Sequence, residues 1–117
     1  MRFQGTCREV DDVAVVDFSG QITLGESSAT LRRMIREIVE MGHRKIILNL
    51  SDVDYIDSAG IGELVSACTS LRNLHGELKL LNLSRRLRDI IQITRLYTIF
   101  DVQTDEQTAL RSFKAPS

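Results

Sequence analysis

Several residue types that support particular functions are scarce in this chain of 117 residues. Its two cysteines, Cys7 and Cys68, form neither a C-x-x-C pair nor a zinc-ligand pattern with histidine. We therefore expect free thiols, with Cys68 buried on the apolar face of a helix. The formal net charge of -1 provides no overall basic field. That balance argues against nucleic acid or an acidic membrane surface as a partner.

The chain also lacks any apolar run long enough for a signal peptide or a membrane span, so we expect a cytoplasmic protein with no membrane partner. Hydrophobic residues make up 43% and charged residues 26%, as in ordinary globular domains. The length suits a single core, and we expect one domain over residues 1–113. The only proline falls in residues 114–117, which we expect to form a flexible tail.

The apolar pattern alternates between strand-like runs and helical repeats. We expect strands at residues 3–10, 13–18, 45–50, 78–83 and 99–102. Apolar spacings of three and four residues predict four helices between and after these strands. The order ββαβαβαβα predicts an α/β fold with a mixed, mostly parallel central sheet of about five strands. Its first hairpin should add an antiparallel strand at or near one edge, and the run at 45–50 should be the central strand.

Candidate caps mark the ends of the predicted helices. Thr23 to Glu26 has the capping-box pattern, although Ser27 is a competing cap for the same helix. Thr104 to Gln107 repeats that pattern before the last helix, and Ser84 is placed to cap a short helix. Gly42 is a suitable C′ residue for the first helix.

The stretch from Asp54 to Gly62 lies between the predicted central strand and the next helix, which places Ser58 near a helix N-terminus. A hydroxyl there can cap the helix, or it can carry a phosphate that the free N–H groups and the helix dipole stabilise. Spacing alone leaves both roles open. We interpret Asp52 and Asp54 as turn residues, and Asp57 as a cap or as a charge favoured by the positive end of the helix.

Enzymatic interpretations fail mainly on spacing. The sequence has no G-x-S-x-G motif, and His43 and His75 each stand beside a glycine at a predicted helix end. The sequence contains no complete motif for a loop that binds the phosphates of a nucleotide. The acidic residues around Ser58 do not have the spacing of an EF-hand, and we expect neither a metal nor any other cofactor. We interpret the arginines at 85, 86 and 88 as a solvated face.

Two glycines near the predicted helix start need an explanation. Gly60 and Gly62 each cost up to ~1 kcal/mol relative to alanine inside a helix. Either the helix packs closely on its own sheet, or the backbone of another protein or a nucleotide approaches Ser58. Both explanations remain open from the residues alone. Ile61 could equally be a core residue or an apolar anchor for a partner.

The stretch from Ile56 to Gly62, preceded by the apolar run at 45–50, resembles the signature of the bacterial anti-sigma factor antagonists, the STAS domain family. Further similarities are Gly20 after the second strand, the run Gly76 to Leu80, and the run Leu96 to Phe100. Together they cover nearly the whole chain.

The resemblance implies a partner-switching regulator of transcription that is not itself an enzyme. It implies that an anti-sigma factor, which is also a serine kinase with a histidine-kinase-like ATPase domain, phosphorylates Ser58. The unphosphorylated form would bind that anti-sigma factor, and a serine phosphatase would reset the phosphorylated form. The same resemblance places the partner contact at Asp57, at the segment from Ala59 to Gly62 and at Thr23.

The chain departs from the family pattern at two of these positions. Ala59 stands where a second serine is common, which leaves Ser58 as the only hydroxyl there. Thr23 stands where relatives commonly have an aspartate, which bears on kinase recognition. The alternative functions are a STAS interaction module that works without phosphorylation in a signalling or transport assembly, and a small nucleotide-binding or hydrolytic protein.

Overall fold

A computed structural model describes residues 3–113, which form one five-stranded sheet flanked by four helices. The strands are β1 (Gln4–Val10), β2 (Val13–Ile22), β3 (Lys45–Ile56), β4 (Glu77–Leu81) and β5 (Asp101–Gln103). The helices are α1 (Glu26–Glu40), α2 (Ser58–Asn73), α3 (Arg85–Ile93) and α4 (Glu106–Ser112), with a 3₁₀ turn at Leu96–Thr98 between α3 and β5. The predicted tail at 114–117 lies outside the described residues.

The sheet order is β1-β2-β3-β4-β5, with β1 antiparallel to β2 and the other neighbouring pairs parallel. The predicted fold class is therefore confirmed, with β3 in the centre and the antiparallel strand at an edge. Alternate side chains of a strand face opposite sides of the sheet, and both sides carry apolar residues in β3. Ile46, Leu48 and Leu50 face one side, while Ile47 faces the other.

The two faces are covered unequally. Helices α1, α2 and α3 pack on one face through residues such as Leu31, Leu64 and Leu87, which belong to the larger core cluster. Helix α4 alone covers the other face, where the buried residues Ala109, Leu110 and Phe113 contact the sheet. Arg8 fixes α4 there by donating hydrogen bonds to both Asp17 of β2 and Glu106 of α4.

Several predicted strand boundaries were wrong, including that of β4, which ends at Leu81 and not at residue 83. Strand β2 continues past Gly20 to Ile22, with a register shift at Gly20, whose φ of 106° suits glycine. Strand β3 continues to Ile56, so Asp52 and Asp54 are exposed strand residues instead of turn residues. The last strand begins at Asp101, because the segment before it forms the 3₁₀ turn.

The predicted caps were correct at some helix ends and wrong at others. Ser84 caps α3 by accepting a hydrogen bond from the N–H of Leu87, and Gly42 follows the C-cap of α1 with a φ of 101°. Asp105, not Thr104, caps α4. At α1 the N-cap position is Gly25, and neither Thr23 nor Ser27 caps the helix.

Candidate functional site

The candidate site lies where β2 and β3 end and α2 begins. In parallel strands the carboxyl ends meet at one edge of the sheet, so the loop after β2 and the start of α2 are brought together there. The N–H of Asp57 donates a hydrogen bond to the carbonyl of Ile22 at 3.1 Å, which joins the two strand ends.

Asp57 is the residue that organises this corner. One carboxylate oxygen, Oδ1, accepts a hydrogen bond from the N–H of Gly60 at 2.9 Å and so caps α2. The other oxygen, Oδ2, accepts one from the N–H of Leu24 at 2.9 Å. These two N–H groups, that of Gly60 first, hold the pKa of the Asp57 carboxyl below its ordinary value. Asp57 therefore stays ionised and ties the loop after β2 to the start of α2.

Ser58 is the first residue of α2 and its side chain is exposed. Because Asp57 caps α2, Ser58 does not have the capping role. Its hydroxyl makes no hydrogen bond with any residue between 3 and 113. A free hydroxyl thus lies at the positive end of a helix of 16 residues.

The two glycines of α2 have different surroundings. A Cβ on Gly60 would lie 2.6 Å from the carbonyl oxygen of Ile22 and 2.6 Å from Cγ1 of Ile56. Gly60 therefore allows α2 to pack closely on the end of its own sheet. A Cβ on Gly62 would have no neighbour within 4 Å. Packing within the fold explains Gly60 and leaves Gly62 facing open space.

The other predicted contact residues are more buried than Ser58. Ile61 is partly buried and packs against the larger core cluster, which supports its interpretation as a core residue. Ala59 is also partly buried. Thr23 is held in the loop after β2, where its N–H donates to the hydroxyl oxygen of Ser27 at 2.8 Å and its carbonyl accepts from that hydroxyl at 3.0 Å.

Two further residues at this corner of the fold, Leu24 and Tyr55, were not predicted from the sequence as site residues. Leu24 is 81% exposed although it is a large apolar residue, and Asp57 fixes its backbone. Tyr55 is partly exposed, and the guanidinium of Arg86 lies 6.0 Å from the centre of its ring. The position of Leu24 in a loop, outside the apolar stripe of the following helix, was the signal that could have identified it.

The corner around Ser58 is separate from the groove that α1 and α2 form. A groove of about 320 Å³ lies between α1 and α2, with Leu31, Ile35 and Leu71 among its lining residues, and Ser58 is not among them. Within residues 3–113, no three side chains of the metal-binding types converge on a common point. None of the helices described is long and apolar enough to cross a bilayer.

Comparison with known proteins places this arrangement in a family. The model of the STAS domain matches residues 6–109, which is most of the chain. The chain therefore belongs to the STAS domain family. The anti-sigma-B factor antagonist of Bacillus subtilis is 34% identical over 92 residues, covering 79% of this chain and 83% of that protein. Within the STAS proteins, the chain belongs to the bacterial anti-sigma factor antagonists.

Solved structures agree with the fold. An anti-sigma factor antagonist from Mycobacterium paratuberculosis has a TM-score of 0.82 at 21% identity, covering 95% of this chain and 93% of that one. The Bacillus cell fate determinant SpoIIAA, solved in its phosphorylated form, has a TM-score of 0.70 at 23% identity, covering 95% and 99% respectively.

Proposed function

We propose that this protein is an anti-sigma factor antagonist that changes partner through phosphorylation of Ser58. In this proposal the unphosphorylated form binds an anti-sigma factor that is also a serine kinase, and a serine phosphatase removes the phosphate. Asp57, the segment from Ala59 to Gly62 and Thr23 contribute to the contact surface. The protein is the substrate of the kinase and catalyses no reaction itself.

The free hydroxyl of Ser58 at the start of α2 is the observation that carries this proposal. Asp57 has taken the capping role, so Ser58 can accept a phosphoryl group without the loss of a structural hydrogen bond. The N-terminus of a helix also favours an added negative charge. Relatives with the same fold include a protein solved in a phosphorylated form, which is consistent with such a role.

The switch follows from charge and bulk at the contact surface. A phosphate adds about -1.5 to -2 charges at neutral pH. Asp57 is already ionised beside it, and Glu63 lies one turn further along α2, where Arg32 neutralises it through a contact of 2.7 Å. A hundredfold loss of affinity needs only ~2.7 kcal/mol, which one uncompensated charge at an interface can supply.

Leu24 and Gly62 support a protein as the binding partner. Leu24 provides an exposed apolar side chain on a backbone that Asp57 holds in place, so its burial by a partner costs little additional ordering. Gly62 lacks any side chain on the open surface of α2, which permits close approach of another backbone. Both residues flank Ser58, where the phosphate would interfere with docking.

The proposal is tested by incubating the protein with the anti-sigma factor kinase of its own organism and ATP, and then measuring the intact mass. We expect one phosphate-sized increase for the wild type and for Ser66→Ala, a control at another exposed serine of α2. Ser58→Ala should show no increase. Equal increases in Ser58→Ala and the wild type would assign the phosphate to another residue.

Binding of the kinase without any mass increase would instead support an interaction module that works without phosphorylation. That alternative needs the same surface and differs only in lacking the modification. Isothermal titration calorimetry of the same proteins with the kinase distinguishes this alternative from a complete loss of binding.

A further inference from the structure

The exposed start of α3 carries a concentration of positive charge. Arg85, Arg86 and Arg88 are all exposed, and none of them forms an ion pair with a residue in the described range 3–113. Residues 85–97 contain four arginines against one aspartate, which gives this segment a net charge of +3. Because the whole chain has -1, the remainder carries -4.

Neither ion pairing within residues 3–113 nor the start of α3 requires these arginines. Arg85 and Arg86 occupy the first two positions of α3, where the positive end of the helix dipole disfavours cations. Ser84 already caps the helix, so the arginines are not needed to begin it. Arg86 lies over the ring of Tyr55, but neither arginine forms an ion pair with a residue between 3 and 113. Both positive charges are therefore available for an external anion.

The basic segment adjoins the surface around Ser58 and ends in exposed apolar residues. Arg86 lies over the ring of Tyr55, three residues before Ser58 on the strand that leads into α2. At the other end of α3, Ile93 is 80% exposed and Tyr97 in the following turn is 50% exposed. The segment therefore combines cationic groups with uncovered apolar area.

We propose that α3 and the following turn, residues 85–97, form a docking surface for an acidic segment of a partner protein that also carries apolar side chains. This inference rests on the proposed function, in which the acidic segment belongs to the anti-sigma factor that contacts Ser58. An anionic membrane is disfavoured, because the remaining net charge of -4 would be repelled by its surface. Because residues 85–97 adjoin the surface around Ser58, we expect a single protein to contact both regions.

The first test uses a fluorescent peptide in which pairs of glutamates alternate with single leucines, and measures its binding by anisotropy. We expect Arg85→Gln/Arg86→Gln to weaken binding roughly tenfold. The matched control, Arg33→Gln/Arg36→Gln, removes the same charge from the exposed face of α1 and should bind as the wild type does. The melting temperature of the α3 variant should change little, because the removal of charges that the helix dipole disfavours offsets the loss of the Arg86–Tyr55 contact.

The apolar part of the surface is tested in the same way with Ile93→Ser, against Met41→Ser as a control at another exposed helix end. Only Ile93→Ser should weaken peptide binding. Equal losses in the α1 and α3 arginine variants would overturn the proposal, since overall charge would then explain binding. Binding to vesicles of phosphatidylserine and phosphatidylcholine that depends on Arg85 and Arg86, without peptide binding, would also overturn it.

Kinase measurements connect this surface to the partner. With the anti-sigma factor kinase, Arg85→Gln/Arg86→Gln should raise the KM for this protein several-fold and leave kcat unchanged. An unchanged KM would show that the kinase does not use the surface. Absence of phosphorylation in the wild type would contradict the proposed function, whereas the peptide measurement needs no phosphorylation and still tests the surface.

Discussion

At the scale of single residues, Asp57 and Ser58 divide two roles that a helix N-terminus offers. Asp57 accepts hydrogen bonds from the N–H groups of both Gly60 and Leu24, so one side chain begins α2 and holds the neighbouring loop. Ser58 is left with a free hydroxyl at the surface. The structural part of the site thus resides in a carboxylate, and the residue next to it is available for modification.

Substitutions of the two glycines of α2 test the different roles that the structure assigns to Gly60 and Gly62. We expect Gly60→Ala to destabilise the protein by about 1–3 kcal/mol, because its Cβ would collide with the carbonyl oxygen of Ile22. Gly62→Ala should stabilise it by up to ~1 kcal/mol, because alanine favours the helix and its Cβ has free space. Urea denaturation measures both free energies of unfolding, and equal effects at the two positions would contradict the assigned roles.

Leu24 leads to a second prediction at this scale. Leu24→Ala should leave the free energy of unfolding within about 0.5 kcal/mol of the wild type, because the side chain is 81% exposed. The free energy of binding of this variant to the anti-sigma factor should become less favourable by about 1–3 kcal/mol, because the variant lacks the proposed apolar anchor. Calorimetric titration measures this change, and Met41→Ala, at another exposed apolar residue, is the control. Equal affinities of Leu24→Ala and the wild type would exclude Leu24 from the contact.

At the scale of secondary structure elements, the sequence predicted what depends on local periodicity. The five strands and four helices were predicted in their observed order, because burial on a common core repeats every two or about 3.6 residues. Strand ends were less predictable. Asp52 and Asp54 were interpreted as turn residues because polar side chains interrupt the apolar run, whereas they continue β3 on an exposed part of the sheet.

The N-cap of α1 could not be predicted from the local sequence either. Thr23, Ser27 and Gly25 lie within five residues, and all are acceptable near a helix start. Which one caps α1 depends on the path of the chain after β2, and that path is fixed by Asp57 from a different part of the sequence. A long-range hydrogen bond of this kind has no local pattern, so the sequence left the choice open.

Helix α4 depends on a single ionic cluster as well as on its apolar contacts. Arg8 bridges Asp17 and Glu106, and these contacts lower the pKa of both carboxyl groups. Their contribution to stability is therefore complete above the ordinary carboxyl range near pH ~4 and is lost as the pH falls through the lowered values. We expect Arg8→Gln to reduce stability at neutral pH and to flatten this acid-dependent loss. Urea denaturation across that range tests it, and an unchanged pH profile would contradict it.

At the scale of the whole molecule, the fold separates Ser58, the proposed phosphorylation site, from the structural core. Ser58 and Leu24 lie at the edge where the central strands end, while α4 and its ionic cluster are on the far face of the sheet. A charge added at Ser58 meets solvent and the start of α2, and it breaks no contact within the described residues. In the proposed switch, a phosphate at Ser58 would thus change the surface and preserve the fold.

This view predicts the effect of phosphate on the isolated protein. With phosphoserine incorporated directly at position 58, we expect the free energy of unfolding to change by no more than ~1 kcal/mol, because the helix dipole favours the charge while Asp57 repels it. Amide chemical shifts should change only in the loop at Leu24 and in the first turns of α2. The Ser66 phosphoserine variant is the control, and it should leave the Leu24 loop unaffected. Shift changes that extend to α4 would instead indicate a rearrangement of the sheet, so that partner release would require a conformational change in addition to local charge.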